Sequence, residues 1–190
     1  MKKLLYTLLA VSIIFSACKK EEEEPTNNTN NNNSGNNTNL AIGDSHQGGI
    51  IFYLDGNGEG LVAAPTDQSS DAEWGCHDFS ILGAGGTAVG TGYQNTVEIE
   101  LRCSESDIAA KLCTNLTIGG YSDWFLPSKD ELELIYLNLH IQGFSYFSPD
   151  FYWSSTELDS KNAIHLYFVD GNFDGNYKTN PFSVRAVRAF

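Results

Sequence analysis

The sequence predicts an α+β fold with a mostly antiparallel sheet, two helices and long loops. Three observations carry this: an early apolar hairpin signal, two capped helix starts near the middle, and short aromatic strands after Pro149. Strands and helices are grouped rather than alternated, which argues against a parallel βαβ sheet.

In chain order, GGIIFYLDGNGEGLVAAPT (48–66) has two apolar runs rich in β-branched and aromatic residues around a Gly-rich break, the mark of a hairpin. Residues 67–97, centred on GAGGTAVGTG, read as a long irregular loop with one short element at most. Ser104-Glu105-Ser106-Asp107 fits a variant capping box, and Ile108, Ala109, Leu112, Cys113 and Leu116 follow at helical spacing until Gly119-Gly120. A clearer box is Ser128-Lys129-Asp130-Glu131 after Pro127, with Leu132, Ile135, Tyr136 and Leu139 as the apolar face. FYWSST, AIHLYFV and SVRAVRAF then read as strands, with DGNFDG as a break.

DGNFDG (170–175) echoes DGNGEG (55–60), and both place oxygen-bearing side chains at alternate positions before a glycine. An EF-hand loop also needs a bidentate Glu at its twelfth position. That position falls on Thr66 in one loop and Pro181 in the other, so both read as hairpin turns and no metal site is expected.

Ahead of the domain, residues 1–17 have the build of a secretory signal: Lys2 and Lys3, an apolar stretch, then Ser16 and Ala17. The stretch is too short for a permanent membrane span. Cys18 follows directly and resembles the cysteine of a bacterial lipobox, with Phe15 where leucine is usual. In that reading Cys18 becomes the lipidated N-terminus, and two or three acyl chains, palmitate among them, anchor it stably. Residues 18–39, KKEEEE and an Asn-rich tract behind the cysteine, cannot bury enough apolar surface to offset ordering and read as a disordered tether. The acidic run resembles the signal that sends some lipoproteins to the cell surface. The expectation is an outer-membrane lipoprotein with a folded domain at 40–190, on the periplasmic face or the cell surface.

The formal net charge is −13, and all of it falls on the folded part, because four lysines and four glutamates before residue 40 cancel. Such a surface disfavours nucleic acid, since phosphate binding needs clustered cations. It suits cations, neutral glycans or proteins.

GYSDWFLPSKDEL (120–132), YWSSTE (152–157) and VRAVRAF (184–190), with GGIIFYLD near the start, together resemble the Lcl C-terminal domain family. The likeness spans roughly residues 42–190. That family was long catalogued as a domain of unknown function and takes its name from the end of a bacterial collagen-like adhesin. The resemblance implies a C-type-lectin-like architecture, distantly similar to formylglycine-generating enzymes. The adhesin domain is associated with sulfated glycosaminoglycans, whereas this chain shows no basic cluster to receive them. The copper-binding cysteine pair of the formylglycine-generating enzymes has no counterpart, nor do the EPN, QPD and WND elements of calcium-dependent lectins in the folded part. No cofactor is expected.

Among the motif residues, Trp124 and Phe125 stand ahead of the capped helix as core anchors, and Trp153 is read the same way. Pro127 and Glu131 belong to the helix start. Trp74 lies in the long loop, where an exposed ring would be a candidate ligand contact. Arg185 and Arg188 have odd spacing and should point to opposite faces of a strand, one pairing with an acid such as Asp123 or Glu131.

Three cysteines remain in the domain. A helix between Cys103 and Cys113 would hold them beyond disulfide reach, so Cys76 is the shared partner. Cys76–Cys103 is favoured, with Cys113 buried and as the alternative partner. These cysteines with His77, His140 or His165 lack the paired short spacings of zinc ligation. A Cys–His nucleophile has no local signature. Asp130, Glu131, Glu133 and Glu157 could form a glycosidase acid pair, but acids at a helix start already serve its cap and dipole.

Two functions follow: a non-enzymatic surface adhesion module that binds a glycan or protein through its loops, or an envelope hydrolase or thiol-dependent enzyme built on the acidic or cysteine groups. The anchor is open to direct test. Cys18→Ser should move the protein from the membrane fraction to the soluble fraction, and retention in the membrane would refute lipidation.

Overall fold

The computed structural model describes residues 40–190; the signal stretch, Cys18 and the tether lie outside the described residues. The elements are β1 (Ser45–His46), β2 (Gly49–Leu54), β3 (Gly60–Ala63), β4 (Ser69–Ala72), α1 (Gly92–Arg102), α2 (Ala109–Thr114) and α3 (Lys129–Ile135). A π-helical stretch, Tyr136–His140, extends α3. Then come β5 (Phe151–Glu157), β6 (Asn162–Tyr167), β7 (Asn172–Tyr177), β8 (Phe182–Val184) and β9 (Val187–Ala189).

The fold is α+β, with two sheets where the sequence suggested one. One has the order β1-β2-β3-β9 and the other β4-β8-β5-β6-β7. Pairing is antiparallel throughout except for β5 and β8, which meet in parallel at Tyr152 and Ser183. The final apolar run is therefore divided: β8 joins one sheet and β9 the other, with Arg185 and Ala186 between them. Two apolar clusters fill the interior. Trp74, Trp124, Trp153, Ile99 and Val184 centre one, and Phe52, Phe125, Leu132, Tyr152 and Phe168 the other.

Three elements depart from the sequence reading. The stretch read as loop contains β4 and the start of α1. That helix carries no side-chain cap at Thr91, and its inward side presents Asn95 and Thr96 beside Ile99, so little apolar period betrays it. Both polar groups are satisfied: Asn95 bonds both backbone groups of Gly86, and the Thr96 hydroxyl donates to Gly92 O and accepts from Leu126 N. The second helix starts at Ala109 and not at Ser104, because Asp107 turns the backbone to φ +60° and the Ala109 N–H goes to Glu73 O. In DGNFDG only Asp170 and Gly171 turn, since Asn172 onward pairs with β6 as β7, register Leu166 to Phe173.

The capping box at Ser128 is present in full. Ser128 Oγ accepts from Glu131 N at 3.3 Å, and Glu131 Oε2 accepts from Ser128 N at 2.7 Å. Its other oxygen, Oε1, accepts the Gly90 N–H at 2.7 Å, so one buried carboxylate joins the start of α3 to the loop before α1. Burial raises the Glu131 carboxyl above its usual range, while the N–H groups of Ser128, Gly90 and Gly92 pull it back. Gly92 is packed so closely that a Cβ would strike the Glu131 carboxylate and Ser128 N.

Both Glu131 oxygens face N–H donors, so an amide would set its NH₂ against one of them. Glu131→Gln should therefore cost about 1–3 kcal/mol in urea unfolding, the scale of a buried polar group left unsatisfied. Asp130→Asn, on the same helical turn but partly exposed, should cost much less.

Candidate functional site

The motif residues mostly build the frame. Trp124 is buried with Nε1 donating to Tyr121 O at 3.1 Å, and Phe125 bridges Val187 through both backbone groups, at 2.8 and 2.9 Å. Pro127 O receives Ser155 N at 2.7 Å, linking the start of α3 to β5. Trp153 is buried, its Nε1 donating to Ala72 O at 3.0 Å.

Trp74 corrects the sequence reading. Instead of an exposed contact it is fully buried, its Nε1 donating to Ser154 O at 2.9 Å and its ring beneath the Lys178 ammonium. Lys178 itself is buried and pairs with Glu157 at 2.6 Å while donating to Phe79 O at 2.9 Å. Glu157 also receives Ile81 N at 2.7 Å, so the ion pair straps the loop after Trp74 onto the sheet.

Both arginines pair with acids. Arg188 meets Asp123, donates to Gln47 at 2.6 Å and lies over the Tyr121 ring. Arg185, in the link between the strands rather than within one, meets Asp67 at 2.6 Å and donates to Ala64 O and Tyr146 O. The Tyr152 hydroxyl joins the same carboxylate at 2.9 Å, and burial first, then Asp67, raises its pKa. Glu131, the other acid considered for an arginine, bonds backbone amides instead.

The cysteines and histidines do not gather into a reactive centre. Cys76 and Cys103 form a disulfide with Cα atoms 5.7 Å apart, and Cys113 is buried, its thiol pushed far up by burial and then by Glu100. Cys76, Cys103 and Glu105 are the one metal-capable group among the described residues, but both sulfurs are committed to the bond. His165 is sealed among Phe151, Trp153 and Phe182, and His140 stacks on Tyr136. Of the four carboxylates considered as an acid pair, Glu131 caps, Glu157 binds Lys178, Asp130 pairs with Lys129, and Glu133 is exposed.

Among several hollows on the described surface, a groove over the β3–β9 ladder is the one lined by tyrosine and phenylalanine side chains. Two adjoining hollows of about 320 and 160 Å³ share Leu61, Gly90 and Ala189. Tyr93, 57% exposed, stands on one side, edge-on to Phe125 at 5.9 Å. Tyr53 and Phe190 line the far end, and the Phe190 ring packs against His46 at 4.4 Å. Asp55, Glu59 and Asp123 supply carboxylates along it.

The β2–β3 turn shapes the far end. Asp55 accepts from Asn57 N at 2.7 Å and Glu59 N at 3.1 Å, and these bonds, Asn57's first, hold its carboxyl below the usual range. The echo of a calcium loop is thus a self-bonded turn. Gly60 is required at its close, since a Cβ would collide with Tyr53 O and the Phe190 ring.

Strand β9 gives the groove a polar edge. Gly60 and Phe190 exchange both backbone bonds, so alternation makes Leu61–Ala189 a pair without them and turns the Ala189 N–H and C=O outward. On that side Val187 bonds Phe125, and the next pair would be Ala189 with Asp123. No such bond forms among the described residues; the two segments part and the groove opens between them. Aromatic faces, carboxylates and an open backbone edge are equipment for holding a ligand. Sequence reasoning missed this set because four separated segments build it. Its one local signal is Tyr93, a lone aromatic in GTGYQNT.

Residues 66–188 match the profile of the Lcl C-terminal domain family. None of the curated proteins matches the chain. Among solved structures the chain is similar to a fimbrial protein from Bacteroides ovatus, at 17% identity and a TM-score of 0.50 over 81% of this chain. It spans 46% of that protein, and the likeness is one of fold.

Proposed function

Because the chain belongs to the Lcl C-terminal domain family, we propose that it is a non-enzymatic binding module of the bacterial envelope, lipid-anchored through Cys18 and recognising a glycan or protein. The observation that carries this reading is the groove between Tyr93, the β2–β3 turn and Ala189, where aromatic, acidic and backbone groups converge. Groups that an enzyme would use are engaged in structure: the disulfide, the buried Cys113, the Glu131 cap and the Glu157–Lys178 pair. The signal stretch and Cys18 support delivery to the outer membrane, on its periplasmic face or the cell surface, and the acidic balance disfavours nucleic acid as a partner. The family's link to an adhesin and the fold shared with a fimbrial protein accord with a surface role.

The full chain, purified in detergent, should be applied to a glycan array, to immobilised matrix proteins and to a hydrolase substrate panel, beside Tyr93→Ala. Capture on one surface that Tyr93→Ala weakens without lowering the melting temperature is expected. Turnover of any ester or glycoside would overturn the reading, as would capture indifferent to the groove.

A further inference from the structure

We propose that the groove takes an extended segment of a partner protein bearing lysine or arginine at alternate positions, its main chain paired to the open edge at Ala189. The inference rests on the groove being the binding site and adds the chemistry of what enters it.

Charge complementarity is the first argument. Asp55, Glu59 and Asp123 face the groove, and the nearby cation, Arg188, is already spent: its side chain is 9% exposed and spans Asp123, Gln47 and the Tyr121 ring. The Glu59 side chain makes no hydrogen bond or ion pair among the described residues, and the Asp55 carboxylate is kept ionised by its turn. A sulfated or uronic chain entering here would meet like charge. Asp123 is balanced by Arg188, so an ammonium or guanidinium would meet unbalanced carboxylate at Asp55 and Glu59.

The second argument is shape. Leu61, Ala189 and the Tyr93 ring offer an apolar bed for the stem of a lysine or arginine, with aromatic faces beside the carboxylates that receive its head. The third is the backbone. The outward N–H and C=O of Ala189, at the point where the ladder with residues 123–125 parts, present the donor and acceptor that strand addition uses. Along an added strand every second side chain faces the same way, so basic residues at alternate positions would all meet the acidic face.

The test uses the full chain in detergent and three fluorescent probes: a short peptide alternating valine and lysine, its valine–glutamate counterpart, and a glucosamine oligomer. Fluorescence polarisation should show binding of the lysine peptide alone, weakening as salt rises. Glu59→Lys, an exposed turn position, should weaken it about tenfold, or ~1.4 kcal/mol, with the melting temperature unchanged. N-methylation of alternate peptide nitrogens should abolish it. Equal binding of the two peptides, or indifference to Glu59→Lys or to N-methylation, overturns the proposal. Binding of the glucosamine oligomer that depends on Tyr93 and Glu59, without binding of either peptide, also overturns it yet leaves the groove as the binding site. Failure of every probe, together with array capture unaffected by Tyr93→Ala, removes both readings.

Discussion

One buried carboxylate organises the end of this domain that carries the groove. Glu131 accepts N–H groups from the start of its own helix and from Gly90 in the loop before α1, and Gly92 is stripped of a side chain to let it in. A charge taken out of water must be surrounded by donors or it destabilises the fold. Satisfying it here fixes where the glycine-rich loop hands over to α1, whose first turn brings Tyr93 to the rim of the groove. The groove wall is thus set by an electrostatic requirement directly behind it, since Gly90 both lines the groove and donates to Glu131.

The other buried charges follow the same logic. Lys178 is wholly enclosed yet has Glu157, a carbonyl and the Trp74 ring around it. Arg185 distributes its donors over Asp67 and two carbonyls and rests on Phe147. Each ties a loop distant in sequence to the strands, so long irregular segments are tethered by side chains rather than by regular secondary structure. In a chain with net charge −13, scarce cations are drawn into these internal pairs. The cations that remain at or near the surface, Arg102, Lys111, Lys129 and Lys161, are outnumbered there by acids.

Legibility in the sequence tracked how local each cause is. The hairpin of β2 and β3 and the capped start of α3 depend on neighbours within a few residues, so composition and spacing displayed them. The helix α1 was hidden because its inward face carries Asn95 and Thr96, polar residues whose bonds go to the loop at Gly86 and to Ser155 and Leu126, distant in sequence. Trp74 looked exposed because its surroundings are glycine, serine and acids, while its burial comes from β5 and Lys178, about a hundred residues on. The groove was least legible of all. The parting of Ala189 from Asp123 is a matter of register between segments that only the folded chain brings together.

The odd thiol bears on how the molecule is made. Disulfide exchange starts from an accessible thiolate, and Cys113 is enclosed in apolar surroundings that disfavour losing its proton. Once the core closes over it, that sulfur has no route to the bond between Cys76 and Cys103. An oxidising compartment would then hold a single covalent isomer of the folded domain, because the thiol that could exchange with the bond is closed off.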